Sequence, residues 1–298
     1  MAEPGHHTTL IGRLFGWVLD LPPIRRPRAV FSLYNRAGGS LLAEGLAYSA
    51  LFAGLTGLLF AVGLFGYLVP AEADRQRLVD GFTGQLAFLA PVARDGLKSM
   101  AANAGAFSIV GLIGLAWGAS HFYGALDEAI ARVFDRAPAR GAFDRILREF
   151  VSVVLLVGGL LSGIAIAIFQ ALVLGGIGSG PGDAWWMLCL AAFALVTAVI
   201  VVLAVGLLYR VVPNTHVPLA VLRLPALIAG LLLTGLAELL VFIAPLLTGA
   251  LSVFGDVAVV FASLAWLHLA FQVLLVGAAW TRLRLDDALA REAAQPAS

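Results

Sequence analysis

The chain has 298 residues, 61% of them hydrophobic and only 12% charged, with a mean hydropathy of +0.96. A soluble domain carries about 25% charged residues, so this composition sets a water-soluble globular fold aside. The net charge of +1 selects no acidic or basic partner, and the single cysteine, Cys189, excludes an internal disulfide.

In chain order, residues 1–40 form a basic N-terminal segment. The stretch "TLIGRLFGWVLDL" (9–21) puts Leu10, Leu14, Trp17, Val18 and Leu21 on one helical stripe, and "PPIRRPR" follows with Arg25, Arg26 and Arg28. An apolar stripe beside arginines suits a helix lying among anionic lipid headgroups; a helix packed on the mouth of a bundle fits equally well. The segment lacks the apolar core and small-residue cleavage site of a signal peptide.

A helix needs about 20 apolar residues to cross the hydrocarbon layer. Six runs reach that length, at 46–69, 104–123, 150–175, 185–209, 226–248 and 257–280, within a membrane domain expected over 41–284. Only helices and closed barrels can span a bilayer, and these runs lack the alternation of barrel strands. The expected fold is all-α, a six-transmembrane-helix bundle with amphipathic flanking helices. The loop after the first span is expected to hold short interfacial helices, and the tail 285–298 to be disordered.

Arginine placement orients the bundle. Fifteen of the 19 basic residues fall before the first span, between the second and third, between the fourth and fifth, or in the tail. The other four, Arg75, Arg77, Arg94 and Lys98, share the first loop with acids. Six spans with both termini in the cytoplasm satisfy every loop. The connector "LYRVVPN" puts Tyr209 and Arg210 at the water boundary. Pro213, Pro218 and Pro225, with Asn214 between, are expected to keep the fourth and fifth spans from fusing into one helix.

Polar groups deep in a span are functional candidates. Glu238 and His268 each lie about 18 Å from the arginine-bearing end at about 1.5 Å per residue, and Gln272 stands one turn from His268. Consecutive antiparallel helices would let Glu238 and His268 face one interface, as a headgroup or proton site or as a structural pair. Gln170, near the outer end of the third span, joins this candidate patch. Enzymatic chemistry finds no support. "GIGSGPG" (176–182) lacks the phosphate-loop lysine, no nucleophile turn or H-E-x-x-H is present, and His6 and His7 alone build no shielded metal site. No catalytic residue, metal or cofactor is assigned, and no nucleic acid is expected.

Several pieces, in order, resemble the YihY/virulence factor BrkB family of bacterial inner-membrane proteins. They are "GLAYSALFA" in the first span, "FSIVGLIGLAWGASHFYGALDEAIARVF" through the second, "LYRVVPN" with "LRLPALIAG", and the sixth span with Phe254, Gly255, Trp266, Leu267, Gly277 and Ala278. His268 stands where the family has a tyrosine. The resemblance implies a bacterial envelope protein, with members proposed as transporters or lipid-export factors and some formerly labelled ribonuclease BN. The expected function is therefore transport or export of a lipid or other amphiphile, with membrane lipids as partners. A non-transporting scaffold for envelope machinery is the alternative, and a membrane ribonuclease ranks after both.

Overall fold

The computed structural model describes residues 22–68, 104–135, 184–213, 217–250 and 256–294. Among them there are six helices and no strand: α1 Pro22–Arg36, α2 Gly39–Leu68, α3 Ala104–Phe134, α4 Ala184–Val211, α5 Leu219–Ala250 and α6 Asp256–Ala294. By length and apolar composition, α3, α4, α5 and α6 each contain a stretch able to cross a membrane. The 30-residue α2 carries no charge beyond Glu44 in its first two turns. The expected third span, the 70–103 loop, the 9–21 stripe, Gln170 and Asn214 lie outside the described residues.

The helices are apolar on two sides, as spans surrounded by lipid must be. In α4 one stripe (Leu195, Val199, Leu203, Leu207) is exposed, while Val205 and Tyr209, and Val212 just past its end, are buried. In α5 the exposed stripe includes Leu224, Leu227 and Leu231, and the inward one includes Val221, Leu222, Ala226 and Ala229. A soluble protein would not leave so much contiguous leucine and valine open.

Two hairpin-like pairs, α2 with α3 and α4 with α5, pack on α6, which touches every other described helix. Glycines permit the close approaches. A Cβ on Gly111 would come within 2.5 Å of the Phe60 backbone nitrogen, and one on Gly118 within 3.1 Å of the Ala53 Cα. In the second pair a Cβ on Gly230 would lie 2.7 Å from the Val202 Cα. Small residues bring helices close where lipid offers no hydrophobic drive to associate.

The buried residues form one cluster toward the end of the bundle that carries α1, the ends of α3 and α4, the start of α5 and the second half of α6. The eight arginines whose side chains are described all lie in these same segments. At the α1–α2 corner Gly38 takes the left-handed conformation, φ 72°, which glycine enters without steric cost. Its amide donates to the Asn35 carbonyl at 3.0 Å.

Two expectations change. Residues 285–294 of the tail are helical: α6 continues to Ala294 as one helix of 39 residues, about 58 Å long. Loss of apolar character marks where a bilayer ends, not where a helix ends. "RLRLDDALAREAA" is rich in strong helix formers and has neither glycine nor proline. The connector is also shorter than 210–225, because α5 begins at Leu219 and includes Pro225. Pro213 and Pro218 make the break, and the Pro218 carbonyl accepts the first bonds of α5 from Val221 (3.0 Å) and Leu222 (3.3 Å). Pro225 sits buried within the helix, where its missing N–H forfeits one bond to the carbonyl four residues back.

Candidate functional site

The connector motif enters the core through one side chain. Tyr209, in the last turn of α4, is fully buried, and its hydroxyl donates to the Leu274 carbonyl of α6 at 2.6 Å. A Cβ on Gly277 would collide with the Tyr209 Oη. Glycine at 277 therefore opens the notch into which the phenol fits. One turn on, Thr281 is buried and donates to the Gly277 carbonyl at 2.9 Å. Tyr209 and Gly277, singled out in separate motifs of the sequence, meet as knob and hole. Arg210, next in the chain, is exposed, and Pro213 is buried. Arg28 is exposed on α1, the helix that also contains Arg25 and Arg26.

A second node has no counterpart in the sequence reading. Arg282 reaches from α6 to the end of α3, donating to the Val133 carbonyl at 2.8 Å and pairing with Asp135 at 3.6 Å and Asp286 at 3.5 Å. The last carbonyls of a helix lack internal donors and carry partial negative charge, so a guanidinium there caps α3 and ties it to α6. Asp135, just past that helix end, adopts φ 54°. Nothing along the chain links Arg282 to a carbonyl 149 positions away.

On α1, Tyr34 is buried with its ring against Gly39, where a Cβ would overlap it. Its hydroxyl has no hydrogen-bond partner among the described residues. Burial, and then the nearby Glu44 carboxylate, push its pKa above the ordinary value of 10.0, since both disfavour a phenolate.

The mid-span candidates separate into two places. His268 Nε2 and Gln272 Nε2 lie 2.9 Å apart on α6. An amide NH₂ only donates, so in this orientation the ring nitrogen accepts. The other ring nitrogen, Nδ1, is buried with no partner among the described residues. His268 and Gln272 are partly buried and border the exposed strip of Phe261, Ala265 and Leu269. Trp266 crosses to α5, its indole donating to the Leu236 carbonyl at 3.3 Å. Glu238 is exposed, seven residues after Leu231 and on the same outward stripe of α5. At about 100° per residue it is turned some 200° away from Leu236. No hydrogen bond or ion pair joins Glu238 to His268 among the described residues. Among those residues, too, no three His, Cys, Asp or Glu side chains gather as a metal site.

Against known families, the model described as virulence factor BrkB matches residues 30–298. The chain belongs to that family. No curated protein and no solved structure matches it. The match begins within α1 and takes in every helix after it. This BrkB-family chain is thus an all-helical integral membrane protein, with the Tyr209–Gly277 lock and the Arg282 node inside the family region.

Proposed function

We propose that this BrkB-family protein moves a lipid or other amphiphile within the bacterial envelope. In this reading the chain sits in the plasma membrane with the arginine-rich end, and both termini, in the cytoplasm. The observation that carries the proposal is the His268–Gln272 pair, whose Nδ1 is buried and unpartnered beside an exposed leucine–phenylalanine strip. An unmet polar nitrogen at such depth costs roughly 1–3 kcal/mol, and a headgroup entering laterally from the bilayer would satisfy it. Glu238, on the outward stripe of α5, supplies a second polar point along such a route. Its charge is costly in hydrocarbon unless a polar ligand or partner meets it. The acyl chains would stay in lipid while the headgroup passes along the helix surface. The reading assigns no covalent chemistry and no cofactor to any side chain.

The test is movement of fluorescent phospholipid analogues between leaflets of vesicles holding the purified protein. His268→Phe and Glu238→Gln should each slow it by about tenfold, matching a loss of some 1.4 kcal/mol. Folded protein that moves no lipid would remove the reading. The scaffold alternative would then gain, provided that in-cell crosslinking at these positions gives protein partners and no lipid adducts.

A further inference from the structure

The outward faces of α4 and α5 differ in kind. On α4 the exposed stripe of Leu195, Val199, Leu203 and Leu207 is wholly apolar, as a face meeting acyl chains should be. On α5 an exposed line runs through Leu224, Ile228, Leu231, Gly235 and Glu238. Its steps alternate between four and three residues, the spacing of a seam between two helices. From Leu224 to Glu238 it covers about 21 Å of helix, most of the hydrocarbon thickness. The opposite side of α5, with Val221, Leu222, Ala226 and Ala229, is buried in the core cluster.

Gly235 and Glu238 do not suit a lipid-facing surface. Gly230, on the inward side, is a notch filled by Val202, whereas a Cβ on Gly235 would meet nothing within 4 Å. No contact with the described chain requires glycine there, although glycine inside a helix costs about 1 kcal/mol against alanine. Glu238 makes no hydrogen bond or ion pair among the described residues, and a carboxyl facing hydrocarbon is costly without a partner.

A second copy of the chain answers both features. Copies inserted in one orientation present α5 parallel, and a two-fold axis along the membrane normal sets each residue of the seam against itself. Glycine facing glycine lets the two backbones approach closely, which brings the carboxyls one turn further on within reach. A carboxyl that holds its proton both donates and accepts, so two glutamic acids satisfy each other with no other group. A lipid headgroup would meet the carboxyl but would leave the open glycine and the four-three spacing without a role.

We propose that the line Leu224, Ile228, Leu231, Gly235 and Glu238 is the face through which two copies of this chain associate in the membrane, closed by a hydrogen bond between their Glu238 side chains. The contact stands whether or not the protein moves lipid.

The experiment uses the full chain at low density in vesicles, with photoreactive benzoylphenylalanine at Leu231 or, as the lipid-facing control, at Leu203 of α4. Irradiation should give a product of twice the chain mass from position 231 and about fivefold less from position 203. Glu238→Leu and Gly235→Leu should each cut the 231 product by about fivefold, the equivalent of one interhelical hydrogen bond or one lost close approach. The second does so by filling a notch that the single chain leaves open, so it tests the seam even where Glu238→Leu unfolds the protein. Glu238→Gln should keep most of the product, because an amide also donates and accepts. Loss of lipid movement in that variant with the dimer intact separates the two roles. Adducts at 231 only with lipid, with residues 136–183 of the same chain or with a different protein would overturn the proposal. A double-mass product unchanged by the leucine substitutions in folded protein would overturn it too.

Discussion

Tyr209 and Gly277 show how much a single contact specifies in a molecule built from interchangeable apolar side chains. Leucine can be exchanged for valine at many lipid-facing positions, but the phenol fits only where the facing residue has no Cβ. Its hydroxyl bond to the Leu274 carbonyl is worth about 1 kcal/mol net, so Tyr209→Phe should lower stability by about that much. Gly277→Ala drives a methyl into the hydroxyl and should cost about 1–3 kcal/mol. Because Tyr209→Phe removes the atom with which that methyl collides, the double substitution should cost less than the sum of the two. Reversible unfolding in mixed micelles measures all three, and strict additivity would show that the two residues do not lock together.

At the scale of helices, glycines fall into those that hold a seam and those that only interrupt the surface. Gly111 and Gly118 place α3 against the backbone of α2, whereas a Cβ on Gly124 of the same helix would meet nothing within 4 Å. Gly111→Ala should therefore force the pair apart and destabilise the protein by more than about 1 kcal/mol, by overpacking. Gly124→Ala should be neutral or stabilise by up to about 1 kcal/mol through helix propensity. Thermal unfolding of the two variants in one detergent checks the contrast, and equal effects would remove the packing account. The four-residue spacing of Gly114 and Gly118 is readable in the sequence. Which partner the stripe meets is not, because any apolar helix would serve as a neighbour.

For the whole molecule, the described arginines and the buried core share one end, so folding and orientation are coupled. Charged residues there cap helices, as Arg282 does for α3, and would keep that end out of the bilayer. A cysteine placed at the exposed Asp287, in a Cys189→Ala background, should resist a membrane-impermeant maleimide in intact cells. It should react in inverted vesicles. Labelling from outside intact cells would reverse the orientation of every helix.

The membrane class and the family were legible in the chain, because hydropathy and motif order are properties of local sequence. The described helices overlap the expected first, second, fourth, fifth and sixth spans. Helix ends were less legible: Pro225 lies inside α5, and α6 outruns its apolar stretch by more than three turns, because hydropathy reports solvent and propensity reports conformation. Only the tertiary structure decided which polar atoms are met. It turned Glu238 outward, joined His268 to Gln272, sent Arg282 to a distant helix end and left Arg284 and Tyr34 with buried unpaired donors. The physical reason is rotational: a few tens of degrees about a helix axis exchange a buried partner for lipid, and packing against neighbours sets that angle.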